Sequence, residues 1–400
     1  MKLSDIQETY IRQKAFLNEQ EPGLKRIVLP DLPDIKTHAL IVSGIRRCGK
    51  STLLHQFVKK LGRDFFYLNF DDLRLADFSH EDYGLLDKVI RDSGAALLFF
   101  DEIQSAEHWE LFVRQKLDEG YQVAITGSNA SLLSRELGTH LTGRHISKEL
   151  FPFSYREFRL FKKVKAGQES LAAYLEKGGF PEYLKTENTE ILTQLQSDIL
   201  YRDIAVRYGI RDVSSLRRLY VYLVSNPAQK VSPSKLSNTA GVKSATTVLE
   251  YFSYLEAAYL IHLLPSFAWS VKAQSLAQKK VYIADPGIIS TGSLSFSDNN
   301  GARLENFVYN NLRLSTADIF YYSGKSGAEC DFIVRPHEQP KCIQVCWELS
   351  HDNQDREISG LLEAMDFFNQ KKGIILTFNM EDIIKTAGKT INVIPAWKGA

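Results

Sequence analysis

The first part of this chain predicts an α/β fold built on a parallel sheet, on two observations. Between residues 37 and 150, strand-length apolar runs alternate with helical ones: "HALIVSG", "STLLHQFVKKL", "DFFYLNF", "YGLLDKVIRDSG", "AALLFFDE", "HWELFVRQKLDEG" and "YQVAITGS". That is the order of parallel strands joined by crossover helices. The first strand-to-helix junction holds Gly44-x-x-x-x-Gly49-Lys50-Ser51, the pattern of a phosphate-binding loop. Its glycines let backbone amides turn inward around phosphate oxygens, and the helix start adds the positive end of its dipole.

Bulk composition bounds the rest. Four hundred residues exceed what one core organises, so several domains are expected. With 49 basic against 48 acidic side chains, net charge names no partner, and any nucleic-acid surface has to be local. The start, "MKLSDIQETYIRQKAFLNEQ", lacks the apolar core of a signal peptide, and "AALLFF" is far short of the roughly 20 residues of a membrane helix. A cytoplasmic chain is expected, with Cys48, Cys330, Cys342 and Cys346 as reduced thiols, since no CxxC pair points to zinc or a disulfide framework.

In chain order, residues 1–36 read as an amphipathic helix and a proline-rich connection, and 37–159 as the phosphate-loop domain. In the loop, Lys50 is placed to contact the β- and γ-phosphates of ATP and the Ser51 hydroxyl to hold Mg²⁺. Gly44, Cys48, Gly49 and Thr52 complete the nucleotide contacts, with Arg46 and Arg47 either reaching phosphates or holding the loop against neighbouring acids. "ALLFFDEIQ" is an apolar strand ending in two carboxylates: Asp101 supports Mg²⁺ through its water shell, and Glu102 orients and deprotonates the attacking water. The strand "VAIT" ends at Gly127-Ser128-Asn129, where Ser128 and Asn129 are either γ-phosphate sensors or ordinary turn residues.

Residues 160–227 read as helical, and 228–290 as helix, turn, helix and β-hairpin with a first helix from about 214, the order of a winged helix. Lys243, Ser244, Thr246 and Thr247 open its second helix, and Lys272, Lys279 and Lys280 make its wing modestly basic, so DNA is one possible partner and a protein another. Residues 296–400 follow the order helix, antiparallel strands, helix and strand. This order resembles a PD-(D/E)XK nuclease core. Glu305 and Asp331 match its acids, but Gln344 stands for a carboxylate and Cys346 for the lysine. Three readings stay open: a degenerate nuclease-like binding domain, an active nuclease, or an unrelated α/β unit in which the two acids cap elements or pair with Lys325 or Arg335.

The pieces "GIRRCGKSTLL", "YLNFDDLRL", "FFDEIQ", "ITGSNASLL", "LTGR", "FPFSYREF", "GGFPEYL", "YRDIAVRYGIRD" and "YIADPG" span nearly the whole chain. Together they resemble bacterial and archaeal AAA-type ATPases of the additional-strand, catalytic-glutamate class, whose P-loop domain precedes a domain of unknown function of the 4143 type. The resemblance implies an Mg²⁺-dependent ATPase. It also makes Arg144 of "LTGR" an arginine finger or sensor, acting on its own or a neighbouring subunit's nucleotide, unless it anchors a surface loop by a salt bridge.

Overall fold

The computed structural model describes residues 1–130, 141, 143–294, 299–324, 327–335 and 340–399. The chain divides into a unit spanning Met1–Pro152 and a unit from Phe153 onward, with Ala257–Tyr259 grouped with the first.

The first unit contains α1 (Leu3–Glu19), β1 (Ala39–Ser43), α2 (Lys50–Leu61), β2 (Phe65–Asn69), α3 (Tyr83–Ser93), β3 (Leu97–Asp101), α4 (Trp109–Asp118), β4 (Gln122–Gly127) and β5 (His145–Glu149). The strands form one parallel sheet in the order β2-β3-β4-β1-β5. Every residue of β1 and β3 is buried, as expected when helices cover both faces, and this is why these strands read as unbroken apolar runs. Ile41, Phe66, Leu98, Phe100 and Ile125 belong to one core beneath the helices. The polar strand "HISKE" falls outside the predicted alternation, because β5 draws its order from pairing with the buried β1 rather than from apolar side chains.

Helix α1 buries Ile6, Thr9, Gln13 and Leu17, one face at helical spacing. It covers the edge strand β2. Tyr10 stacks on Phe66 at 4.4 Å, the Asn69 amide donates to Gln13 Oε1 at 2.7 Å, and Gln13 Nε2 donates to the Asn69 carbonyl at 3.1 Å. An exposed strand edge is thereby closed by side-chain bonds.

The parallel arrangement sends every strand's carboxyl end to one side of the sheet. Because β4 lies between β1 and β3, Ser43, Gly127 and Asp101 end together, and the loops after these strands share one crevice.

The second unit starts with helices from Tyr155 to Asp198, the first capped by Ser154. The predicted helix through "ILYRDIAV" is wound as a π-helix over Ile199–Val206. Next come α5 (Val213–Ser225), β6 (Lys230–Val231), α6 (Pro233–Thr239), α7 (Ala245–Ala257), β7 (Ile261–Leu264), α8 (Val271–Leu276) and β8 (Lys279–Ile283), with β6, β8 and β7 in one antiparallel sheet. The Thr247 amide donates to Ser244 Oγ at 3.1 Å, so Ser244 caps α7. The expected wing is not a plain loop, since α8 interrupts it.

The last part contains α9 (Asn300–Arg313), β9 (Ile319–Ser323), β10 (Glu329–Val334), β11 (Lys341–Val345), α10 (Gln354–Phe367), β12 (Lys372–Thr377), β13 (Asp382–Thr386) and β14 (Lys389–Pro395). Its sheet runs β13-β14-β12-β11-β10-β9, with β9, β10 and β11 antiparallel and β11 parallel to β12. The register of β10 on β9 shifts between Cys330 and Ile333, an irregularity that brackets Asp331.

Candidate functional site

The loop between β1 and α2 owes its path to two glycines. Gly44 has a φ of +150°, and a Cβ there would lie 2.1 Å from the Leu150 carbonyl oxygen, so no side chain fits. Gly49 has a φ of +100° at the N-cap of α2. Arg47 is also left-handed, at φ +63°.

Arg26, from the connection after α1, braces the loop from behind. Its Nη1 donates to the Cys48 carbonyl at 2.9 Å and its Nη2 to the Phe151 carbonyl at 2.8 Å, both bonds inside the first unit. The Cys48 thiol points away from the crevice toward the Leu150 carbonyl, 3.3 Å away, and burial pushes its pKa up. Cys48 therefore offers the site backbone groups rather than sulfur chemistry.

The predicted Lys50, Ser51, Asp101 and Glu102 do meet. Ser51 Oγ donates to Asp101 Oδ1 at 2.9 Å. Lys50 Nζ lies 3.4 Å from Glu102 Oε1 and donates to the Gly44 and Ile45 carbonyls at 3.1 and 3.2 Å. Burial lifts the Asp101 carboxyl above its usual range and the Glu102 charge adds to this, while hydrogen bonds from Thr126, Ser51 and Tyr67 oppose it. For Glu102, burial pushes upward but is outweighed by Lys50, Gln104, Arg46 and Ser128, and the carboxyl stays below its ordinary value. The two neighbouring acids are thus held in different electrostatic environments.

The oxygen donors of Ser51 and Asp101 suit a hard cation such as Mg²⁺, which when bound would neutralise phosphate charge. Arg46 lies near the same crevice and pairs with Asp71 at 3.3 Å. Thr52 is exposed on the first turn of α2. Ser128 and Asn129 are both buried where β4 ends, and Ser128 lies beside Glu102.

Arg144 is not brought to this crevice within its own chain. It precedes β5, whose register on β1 sets His145 opposite Ala39, and the Ala39 amide donates to the Arg144 carbonyl at 3.0 Å. That is the opposite end of β1 from the loop, five strand residues or roughly 16 Å away. Its guanidinium forms a partly exposed ion pair with Asp118, the loop-anchoring alternative.

Three contributors to the site were missed in the sequence. Tyr67 donates to Asp101 Oδ2 at 3.1 Å, Thr126 Oγ1 bonds Asp101 and accepts from the Glu102 amide at 2.9 Å, and Gln104 Nε2 donates to Glu102 Oε2. Thr126 sits in the strand quoted as "VAIT" and Gln104 in "FFDEIQ", so their positions were legible even though their bonds were not.

Residues 36–159 match the family model for an AAA domain (AAA_14), and residues 168–298 match a domain of unknown function (DUF8612). An uncharacterized protein of Methanocaldococcus jannaschii, MJ1544, is 34% identical, with the alignment covering 99% of this chain and 96% of that protein. The chain belongs to this AAA-domain family. An uncharacterized protein of Haemophilus influenzae is 31% identical, over 90% of the chain and 94% of its own length. The Thermotoga maritima RuvB Holliday junction branch migration motor aligns with 64% of this chain and 89% of its own at 17% identity, with a TM-score of 0.31, too low to carry an argument. The AAA match supports nucleotide binding by this unit, and the P-loop lies at the crevice above β1, β3 and β4.

A second cluster lies in the other unit, on a cavity of about 800 Å³. Glu305 of α9 and Asp331 of β10 come together; of the two expected cations, the Arg335 guanidinium lies instead near the Phe267 and Trp269 rings, and Lys325 lies outside the described residues. Both acids pair with Lys280. Its Nζ is 2.8 Å from Glu305 Oε1, 2.8 Å from Asp331 Oδ1 and 2.6 Å from Glu329 Oε1. Lys280 is therefore buried rather than part of a basic wing surface, because it sits in the edge-to-edge pairing of β8 with β6 and β7. Gln344 faces Asp331 across β10 and β11, accepting from its amide at 3.2 Å and donating to Glu357 at 2.7 Å. Burial, with the nearby Glu357 and Asp331 charges, pushes the Cys346 thiol up to about 12, so it is neutral at physiological pH and supplies no cation.

Proposed function

We propose that this AAA-domain protein binds ATP with Mg²⁺ and hydrolyses it, and that its nucleotide state controls what the second unit binds. One observation carries this reading: Lys50, Ser51, Asp101 and Glu102, drawn from two segments about fifty residues apart, meet within hydrogen-bond or ion-pair distance at the carboxyl edge of a parallel sheet. In the reaction Lys50 leaves the loop carbonyls for the β- and γ-phosphates, and the loop amides orient the triphosphate. Ser51 and Asp101 would hold Mg²⁺. Glu102 then takes a proton from the attacking water, a role its ionised carboxyl suits.

For the second unit we favour a winged-helix and nuclease-like pair used for binding, with no cutting of its own. The three carboxylates a metal would need already converge on the Lys280 ammonium, and Cys346 does not replace a lysine. The same burial of Lys280 leaves Lys272 and Lys279 as the wing's cations, which favours a protein partner over DNA. Arg144, remote from its own loop, would have to leave its ion pair with Asp118 to serve a neighbouring copy's nucleotide.

The test is ATP binding and hydrolysis by wild type, Lys50→Ala and Glu102→Gln. Loss of binding in the first and retention of unhydrolysed ATP in the second are expected. Unchanged hydrolysis in both would overturn the reading. Magnesium-dependent cleavage of DNA by the wild type, abolished by Asp331→Asn, would overturn the assignment of the second unit.

A further inference from the structure

The turn after β3 holds a residue whose arrangement goes beyond what a P-loop and two acids require. Glu102 leaves the strand with a left-handed φ of +49°, and a single 3-10 turn follows over Ile103–Ser105. That turn is rigid. The Ser105 amide donates to the Glu102 carbonyl at 3.1 Å, the Ala106 amide to the Ile103 carbonyl at 3.0 Å, and Ile103 and Ala106 are anchored in the core. Between those anchors the turn projects Gln104 back over the site.

The Gln104 amide nitrogen donates to Glu102 Oε2 and, at 3.2 Å, to Ser128 Oγ. The Ser128 hydroxyl is bonded to Glu102 as well. One side chain thus ties the carboxylate at the end of β3 to the polar residue at the end of β4. The orientation of the amide is forced: an ionised carboxylate can only accept, so Gln104 must turn its NH₂ toward Glu102 and its carbonyl away. That carbonyl oxygen, Oε1, is buried and has no hydrogen-bond partner among the described residues. A buried acceptor left unmatched is costly and calls for a donor. The donor available beside Glu102 during hydrolysis is the attacking water, which has two hydrogens to place.

We propose that Gln104 is the positioning residue of the hydrolytic step: its NH₂ holds Glu102 in place and its carbonyl accepts the second hydrogen of the water that Glu102 deprotonates. This rests on the ATPase reading above. The water oxygen forms a bond to the γ-phosphorus as the bond from that phosphorus to the β,γ-bridging oxygen breaks. One water proton passes to Glu102 and from there to the released phosphate, ADP departs, and Gln104 stays neutral throughout.

The test compares the full-length wild type with Gln104→Leu, Gln104→Glu and Lys50→Ala. Two readouts are used: steady-state hydrolysis, and the affinities for ADP alone and for ADP with aluminium fluoride, which mimics the transferring phosphoryl group with its in-line water. Gln104→Leu should lower kcat by roughly tenfold or more with KM within about threefold, the signature of an interaction made in the transition state. It should weaken the ADP–aluminium fluoride complex by a similar factor and leave ADP affinity unchanged. Gln104→Glu places a second carboxylate against Glu102 and should move the acidic limb of the kcat profile to higher pH. A Gln104→Leu protein with kcat within about twofold of wild type, while Lys50→Ala is inactive, overturns the proposal. So does equal weakening of ADP and its aluminium fluoride complex, which is what a merely structural role would produce. Should Lys50→Ala hydrolyse ATP as wild type does, the ATPase reading itself has failed.

Discussion

Lys280→Met removes a buried ammonium and leaves its carboxylates in place, which makes it the sharpest probe of the second unit. Three acids face that nitrogen within 2.8 Å, and Tyr282 adds a hydrogen bond to Glu305 at 2.7 Å. Taking one partner from a buried ion pair costs about 3–5 kcal/mol, because the remaining charge is stranded where water cannot solvate it. We expect a loss in that range at pH 8. Glu305 then sets how the loss varies with pH. Burial and the Asp331 charge raise its folded pKa from an ordinary 4.5 to about 7, so the folded state holds a proton that the unfolded chain has released. The stability this gives is complete below pH 4.5 and is lost as pH rises through 7. Without Lys280, the pKa values of Glu305 and Asp331 rise further and the decline extends above pH 7. The deficit of the variant should therefore be smaller at pH 5.5 than at pH 8.

Urea denaturation at the two pH values measures this, with hydrogen exchange at β8 and β10 locating the loosened region. The double variant Lys280→Met/Asp331→Asn should recover part of the loss, since it removes one stranded charge. A deficit below about 1 kcal/mol at pH 8, or a deficit that grows toward acid, would refute this account of the cluster.

Other perturbations address the remaining features. Gly44→Ala puts a methyl 2.1 Å from the Leu150 carbonyl oxygen, so the loop must shift, and ATP affinity by calorimetry should fall more than tenfold. Arg26→Met removes the bonds to the Cys48 and Phe151 carbonyls; at about 1.5–3 kcal/mol for a charge-assisted bond, the ATP dissociation constant should rise roughly tenfold or more. Asp285, pushed up to about 7 by burial, accepts from the Gly179 and Gly287 amides at 2.7 and 2.8 Å. Asp285→Asn turns an NH₂ against one of these donors and should cost about 1–3 kcal/mol by thermal denaturation.

What could be read from the chain was what is contiguous. The P-loop is a strand, a glycine turn and a helix start within a dozen residues, and "FFDEIQ" carries its acids next to one another, so both were legible as motifs. Arg144 shows the limit. "LTGR" marks an arginine, but its distance from the P-loop depends on β5 running parallel to β1, which puts the residue before that strand at the far end of the sheet. Lys280 shows a different limit. In sequence it is one of three wing lysines, but in space it meets acids from positions 305, 329 and 331.

By itself, the sequence determined the parallel α/β architecture, the loop with Lys50 and Ser51, the paired acids Asp101 and Glu102, and the missing lysine at Cys346. Apolar period, glycine placement and adjacent charges are local properties that survive in a one-dimensional record. Only the tertiary structure decided that Gln104 ties Glu102 to Ser128, that Arg26 braces the loop from behind, and that the acidic centre of the second unit is filled by Lys280. These depend on strand order and register, which bring together residues tens of positions apart. The electrostatic consequences follow because burial turns such meetings from weak surface contacts into strong ones.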